Sequence, residues 1–171
     1  MAIPNGIKKI GETTFSQCNA LTSVQIPESV VSIGYRAFYE CYNLKTITLP
    51  SGLISIGDEA FYNCGNLQNI EIPDGVTSLG KWAFYQCSSL KSIVLPKNLE
   101  SIEKECFYRC GYFKTVYYKG TAEDWNKITI IEDRDNYLAR TTKYFYVENA
   151  EDLPTDGGNY WHYVEGVPTA W

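Results

Sequence analysis

The chain has 171 residues, of which 44% are hydrophobic and 20% charged, with a formal net charge of −5. This fits one folded domain, and no apolar run approaches the roughly 20 residues that a membrane-spanning helix needs. The acidic balance argues against nucleic acid as a partner, and a single histidine leaves little material for metal binding or catalysis. We therefore expect a non-catalytic protein without cofactor, metal or membrane insertion.

A 23-residue repeat fills the first two-thirds of the chain. Proline, phenylalanine and cysteine each recur five times at this spacing, aliphatic positions keep the same register, and glycine keeps step until Glu103 replaces it. The recurring positions are Pro4, Pro27, Pro50, Pro73 and Pro96; Phe15, Phe38, Phe61, Phe84 and Phe107; Cys18, Cys41, Cys64, Cys87 and Cys110; and Gly11, Gly34, Gly57 and Gly80. Such register predicts equivalent, stacked units.

Each unit begins with a short strand. Alternation over residues 44–49 places Ile47 on one face and Thr46 and Thr48 on the other. The next proline ends the strand because it cannot donate a ladder hydrogen bond. We expect Gly57 to allow a tight turn, followed by a short helical or 3₁₀ stretch over residues 60–64. Stacking of the units predicts a parallel sheet.

The unit LKTITLPSGLISIGDEAFYNCGN, residues 44–66, resembles the BspA-like, treponemal-type leucine-rich repeats of bacterial surface proteins. The resemblance covers residues 3–118. It implies a strand-rich α/β fold, a right-handed leucine-rich-repeat solenoid with a parallel sheet on its concave side. It also implies protein recognition or adhesion, with an extracellular or cell-surface location; this chain shows no signal peptide.

The construction changes near residue 119. Residues 1–118 carry ten basic and ten acidic side chains, whereas residues 119–171 carry five and ten. We interpret residues 119–147 as a sixth, irregular coil in which Thr121 caps a helix and Trp125 covers the fifth coil. The echo of residues 114–120 in 143–149 aligns Tyr117 with Tyr146 or Phe145. The solenoid domain is thus predicted to span residues 1–147.

Residues 148–171 are predicted to form a C-terminal aromatic cap on the same domain. After a polar loop, a hairpin turns at Glu165 and Gly166 and covers the open end of the sheet. Its aromatic residues could stack on sugar rings, which supports carbohydrate or cell-wall attachment as an alternative function and glycan as an alternative partner. These aromatics are Tyr160, Trp161, Tyr163 and Trp171.

Three further features have simple structural interpretations. The cysteine ladder predicts buried thiols rather than disulfides, because equivalent side chains run parallel; Cys18 is the expected exception and Cys106 joins the core. His162 is expected to be structural. The acidic run of residues 132–136 lacks the glycine and distal glutamate of a calcium loop, so a solvated turn is favoured.

Two surfaces are candidates for recognition. A row of tyrosines follows each phenylalanine, at Tyr39, Tyr62, Tyr85 and Tyr108, and is interpreted first as side packing and second as a contact stripe. The preferred ligand-binding surface for a protein partner is the outward face of the strands, anchored by Tyr117. Its predicted positions are Thr46, Thr48, Asn69, Glu71, Ser92, Val94, Thr115 and Tyr117.

Overall fold

The computed structural model describes residues 3–131 and 137–171. The predicted turn at residues 132–136 lies outside the described residues. The strands, in chain order, are β1 (Lys9–Ile10), β2 (Ser23–Gln25), β3 (Ser32–Ile33), β4 (Thr46–Thr48), β5 (Ser55–Ile56), β6 (Asn69–Glu71), β7 (Ser78–Leu79), β8 (Ser92–Leu95), β9 (Ser101–Ile102), β10 (Thr115–Tyr118), β11 (Thr129–Ile130), β12 (Thr142–Tyr146), β13 (Tyr160–Val164) and β14 (Val167–Ala170). The helices are α1 (Ala122–Trp125) and two 3₁₀ turns, Leu138–Arg140 and Ala150–Asp152.

The strands form a strand-rich solenoid of about six turns, as predicted. The even-numbered strands pair in parallel one coil apart, so that Asn69, Ser92 and Thr115 stand side by side. Strands β6, β8, β10, β12, β13 and β14 make one six-stranded sheet, and β2 pairs with β4 beside it. We call the side of β2, β4, β6, β8 and β10 that points away from the core the long-strand face.

A second strand in each coil was not anticipated. The two-residue strands form parallel ladders, β1–β3–β5 and β7–β9–β11, in which Ser32 pairs with Ser55 and Ser78 with Ser101. A serine outside and an aliphatic residue inside give only one period of alternation, which is too little to distinguish a strand from a turn. Each coil therefore presents two sheet surfaces, and the predicted ligand positions use one of them.

The predicted helical stretch at residues 60–64 is wrong. These residues form consecutive turns in which Glu59 and Asn63 have positive φ values of 57° and 55°. Alternate amides donate across to the next coil, as Phe61 N does to Ala83 O at 2.9 Å, instead of to residue i−4 of their own coil. The same pattern recurs in every regular coil, because inter-coil hydrogen bonds offset the cost of left-handed backbone.

The glycine ladder has a different role from the one expected. Gly57 does not have a positive φ; a Cβ there would lie 2.7 Å from Tyr35 N and 2.8 Å from the carbonyl carbon of Gly34 in the preceding coil. Gly34 is crowded in the same way by Glu12 N at 2.9 Å. Glycine at this position therefore permits close approach of neighbouring backbones rather than a tight turn.

The core is a stack of identical rungs. The rings of Phe38, Phe61 and Phe84 are fully buried, with centroids 5.4 and 5.3 Å apart. The next rung adds a thiol that donates to the phenylalanine carbonyl of the preceding coil, as Cys64 Sγ does to Phe38 O at 3.2 Å. All six cysteines carry thiols, and Cys18 alone among them is half-buried, as predicted.

The irregular coil follows the prediction in its helix but not in its register. Thr121 caps α1 in a capping box with Asp124, and Trp125 packs edge-on against Tyr118 with centroids 5.4 Å apart. However, β12 pairs with β10 at an offset of 27 residues, so Tyr117 faces Tyr144 rather than Phe145 or Tyr146. The local echo of aromatic residues misplaced the alignment by one or two positions.

The C-terminal hairpin is present as predicted and extends the main sheet. β13 pairs in parallel with β12, and β14 returns antiparallel through a turn with positive φ at Glu165 and Gly166. Trp171 N donates to Tyr160 O, so the alternate position, Pro168, faces the free side of β14. Because proline has no amide hydrogen to offer there, the edge resists pairing with a further strand.

Candidate functional site

The predicted ligand positions lie on the long-strand face but are not equally accessible. The positions on β4 and β6 are exposed; those on β8 and β10 are half-buried except for Val94, which is only 5% exposed. Ser92 Oγ donates to Asn69 Oδ1 at 2.7 Å and thereby links β8 to β6. The continuous surface predicted across four coils is therefore open over β4 and β6 and covered toward β10.

The C-terminal hairpin causes this difference because it lies over the C-terminal half of the face. A cavity of about 440 Å³, which we call the hairpin groove, has its floor on the strands and one wall at the start of β14. Val94 and Tyr117 belong to the floor, whereas Val167 and Pro168 form the wall. Six of the predicted positions line it: Thr46, Asn69, Glu71, Ser92, Val94 and Tyr117.

Glu71 joins the hairpin to the regular coils. Tyr163 Oη donates to Glu71 Oε1 at 2.7 Å, and Lys119 Nζ reaches the same oxygen at 2.9 Å. Lys119 also forms an ion pair with Asp74 at 3.1 Å. The Glu71 carboxylate is thus oriented from one side by two donors, while its side chain remains 46% exposed.

The surroundings shift the titration of both donors. Burial and the hydrogen bond to Glu71 raise the pKa of Tyr163. Burial alone would lower the pKa of Lys119, but its hydrogen bonds to Glu71 and Asp74 outweigh that effect and the pKa is raised. At neutral pH Tyr163 therefore carries its proton and Lys119 its charge, so the junction persists across the physiological range.

A second cavity of about 430 Å³ continues from the hairpin groove past Glu71 and is lined mainly by polar groups. Glu28 forms one side, where its carboxylate accepts from Ser51 N at 3.1 Å and Ser51 Oγ at 3.0 Å. Thr48 is part of the same lining, so seven of the eight predicted positions face these two cavities. Only Thr115 lies outside both.

The hairpin aromatics are largely used within the protein. Trp161 is fully buried and donates through Nε1 to Tyr118 O at 2.9 Å. Its ring packs against Tyr117, the predicted anchor of a partner, with centroids 5.3 Å apart. Tyr160 donates to Asp156, and Trp171 stacks on His162 with centroids 3.7 Å apart. These commitments leave few free ring faces for stacking on a sugar.

The tyrosine row is a side-packing feature, in agreement with its first interpretation. Tyr39, Tyr62 and Tyr85 are half-buried and stack face to face, with centroids 4.8 and 4.7 Å apart. Since each ring covers its neighbour's face, the row presents ring edges and hydroxyl groups outward. It closes the flank of the phenylalanine stack.

A buried carboxylate on this flank also has an internal explanation. Glu59 is 5% exposed, accepts from Arg36 Nε at 2.8 Å and from Tyr35 Oη at 3.1 Å, and so is fully paired. Within the described residues, no cluster of three or more histidine, cysteine or acidic side chains is placed to hold a metal ion. Nor does that part of the chain contain a helix long and apolar enough to cross a membrane.

Sequence reasoning missed Glu28, Asp74, Lys119 and the hairpin wall as parts of the site. Glu28 and Asp74 each follow a repeat proline, so the 23-residue period could have placed them in one row with Ser51. The wall has no such signal. Tyr163 and Glu71 are 92 residues apart and make contact only once.

Comparisons with known proteins agree with this architecture. The family described as BspA type leucine-rich repeat region matches residues 2–131 in six copies. The structure of a leucine-rich cell surface protein from Faecalibacterium prausnitzii is 34% identical with a TM-score of 0.74, covering 78% of this chain and 35% of that one.

Two other solved structures are similar. A leucine-rich repeat protein from Bacteroides ovatus is 31% identical with a TM-score of 0.65, over 86% of this chain and 43% of that one. The leucine-rich repeat protein of T. pallidum is 26% identical with a TM-score of 0.64, over 85% and 71%. The chain thus spans about a third of the F. prausnitzii protein and less than half of the B. ovatus protein. No protein of curated function shows significant similarity.

Proposed function

We propose, from the premise that this chain belongs to the BspA-type leucine-rich repeat family, that it is a non-catalytic module for protein recognition or adhesion at a bacterial surface. The partner binds the long-strand face, with the eight predicted positions as its contacts. The description of the F. prausnitzii relative as a cell surface protein supports the location.

The observation that carries this proposal is the open part of the long-strand face. Thr46, Thr48, Asn69 and Glu71 are exposed, lie on neighbouring strands and form the floor of two connected cavities. Side chains at these positions are not needed for the core, which is complete on the other side of the strands. An extended surface of this kind is what repeat solenoids offer to macromolecular ligands.

Protein recognition is favoured over carbohydrate attachment by the state of the hairpin aromatics. Of the four aromatics named for sugar stacking, Trp161 is buried, and the hydroxyl groups of Tyr160 and Tyr163 are bonded to Asp156 and Glu71. Trp171 is 44% exposed but already has His162 stacked against its ring. A sugar platform would need several rings with open faces.

The test uses two matched pairs of neutral, bulky substitutions. Thr48→Tyr with Asn69→Tyr blocks the long-strand face, and Ser55→Tyr with Ser78→Tyr places the same bulk on exposed positions of the short strands. A partner is first captured from host and bacterial surface extracts with the unmodified chain and identified. Its affinity is then measured for both variants, after their melting temperatures have been compared with that of the parent.

We expect the long-strand variant to bind the partner at least about tenfold more weakly and the short-strand variant to bind as the parent does. Equal affinity of all three proteins would exclude the long-strand face. Loss in the short-strand variant alone would place the site on the other sheet.

A further inference from the structure

We infer that the hairpin groove takes the cationic side chain of a lysine or arginine in an extended, otherwise apolar segment of the partner. This inference rests on the proposed function and adds the chemistry of the ligand. The groove combines one charged group, a row of small polar groups and an apolar wall, and each favours a different part of such a side chain.

The charged group is Glu71, which is the ionisable residue that lines the hairpin groove apart from the phenol of Tyr117. Both internal donors, Tyr163 Oη and Lys119 Nζ, reach its Oε1. Among the described residues, none donates a hydrogen bond to Oε2. The carboxylate is therefore held in place through one oxygen and can accept from a ligand through the other, and such charge-assisted hydrogen bonds are strong.

The charge of the surroundings selects a cation. The cavity beyond Glu71 adds the carboxylates of Glu28 and Asp74 and the ammonium of Lys119. Three negative groups and one positive group give the two connected cavities a net charge of −2. A partner that carries a carboxylate or phosphate here would be repelled, whereas an ammonium or guanidinium group would be attracted.

The apolar wall suits the stem of such a side chain. Val94 and Tyr117 form the floor, and Val167, which is 61% exposed in the free protein, stands opposite at the start of β14. The methylene groups of lysine and arginine pack along apolar surface of this kind while the charged end reaches a polar site. The flanking residues of an extended segment would lie over the exposed threonines of β4.

The experiment uses three capped tripeptides and the intact chain. Acetyl-Val-Arg-Val-amide and acetyl-Val-Lys-Val-amide carry the cation, and acetyl-Val-citrulline-Val-amide keeps the shape of arginine without its charge. Binding is followed at low salt by chemical-shift changes of the groove residues. Glu71→Gln removes the charge but leaves an acceptor for Tyr163, and Glu100→Gln is the control, because Glu100 is exposed next to the short strands and lines neither cavity.

We expect at least one cationic peptide to bind the parent, with the citrulline peptide at least about tenfold weaker, as for the loss of a hydrogen bond to a charged group. Glu71→Gln should weaken the cationic peptide by a similar factor, Glu100→Gln by less than about twofold, and added salt should weaken it further. The relative affinities of the lysine and arginine peptides show which of the two cations the groove prefers.

Equal binding of the arginine and citrulline peptides to the parent would overturn the inference, as would unchanged binding to Glu71→Gln or no shift of any groove residue at millimolar peptide. The first comparison needs no variant and so holds even if Glu71→Gln unfolds. Since the tyrosine substitutions that test the proposed function are neutral, they separate the two outcomes. If they block the partner while the charge tests fail, only the inference is wrong.

Discussion

In the regular coils, residues 4–118, each stabilising contact has a copy 23 residues along the chain, whereas in the closing segment, residues 119–171, each is made once. Phe61 stacks between Phe38 and Phe84 in the same geometry, with centroids 5.4 and 5.3 Å away. By contrast, Trp161 meets Tyr118 across 43 residues and Tyr163 meets Glu71 across 92. Repetition builds the scaffold, and unique contacts shape the site on it.

The difference predicts where damage spreads. A rung in the middle of the stack contacts two neighbours, so its loss should affect the cooperative unfolding of the regular coils. A contact in the closing segment affects the hairpin first, and its loss should open the groove before it unfolds the solenoid. The predictions below test this contrast, beginning with the largest expected effect.

Replacing a middle rung should cost most. Phe61→Ala removes a fully buried ring between two others, so the free energy of unfolding should fall by about 3–5 kcal/mol. Denaturant unfolding measures this, with Tyr62→Ala on the half-buried flank as the control and a smaller loss expected there. A loss below about 1 kcal/mol for Phe61→Ala would mean that the stack is not the core of the coil.

The glycine ladder should show a contrast between two neighbouring glycines. Gly57→Ala places a Cβ 2.7 Å from a backbone nitrogen of the preceding coil and should cost about 1–3 kcal/mol through overpacking. At Gly52 the nearest atom would be 3.9 Å away, so Gly52→Ala should be neutral or slightly stabilising. Similar melting temperatures for the two variants would contradict the close-approach explanation.

The hairpin anchor should affect the closing segment more than the coils. Trp161→Phe leaves the carbonyl of Tyr118 without its indole donor and should cost about 1–2 kcal/mol. Hydrogen exchange should show faster opening of β13 and β14 and unchanged protection of β6 and β8. The exposed Trp171→Phe should change neither. Uniform loss of protection would show that hairpin and coils unfold as one unit.

The left-handed turn positions should discriminate between side chains of similar size. Gln86 has a φ of 58°, where a β-branched residue is strained, so Gln86→Val should cost about 1 kcal/mol. Gln86→Asn is the control and should be nearly neutral, because asparagine tolerates this conformation. Thermal unfolding of both variants measures the difference, and an equally stable valine variant would remove the strain from the account.

The thiol ladder should be visible in reactivity and pH dependence. Burial raises the pKa of Cys41 to about 11 and that of Cys110 to about 12, from an ordinary value of 9.0. The folded state therefore holds these protons more tightly than the unfolded state, and this stabilisation is complete below about pH 9 and lost as the pH rises through 11 and 12. Thiol-reagent titration at pH 8 should label Cys18 first and all six cysteines only after denaturation; rapid labelling of Cys64 would contradict its burial.

How far the sequence reveals the structure differs between the two regions for the same physical reason. A period of 23 residues records one contact many times, so the inward positions of Ile47 and Phe61, the buried thiols and the parallel stacking could all be predicted. The turns at Glu59 and Asn63 could not, because glutamate and asparagine at positive φ look like ordinary turn residues and the compensating hydrogen bonds come from the next coil.

In the closing segment the local signals sufficed only for local structure. Thr121 and Asp124 announce their helix, and Glu165 with Gly166 announce the hairpin turn. The sequence alone could not show that the hairpin bends over the long-strand face and covers Val94, because that contact depends on a single pairing of Tyr163 with Glu71. The location of the predicted ligand positions was therefore available from the sequence, but the shape of the groove above them was not.

The central claim is that the regular coils and the hairpin together form one recognition site. It is tested most directly by the affinity of the identified partner for Val167→Tyr, which fills the hairpin groove, and for Val164→Tyr, which adds the same ring to the neighbouring strand outside the groove lining. Calorimetric titration should show binding at least about tenfold weaker for Val167→Tyr and unchanged for Val164→Tyr. Equal affinity of both variants and the parent would show that the hairpin takes no part in recognition.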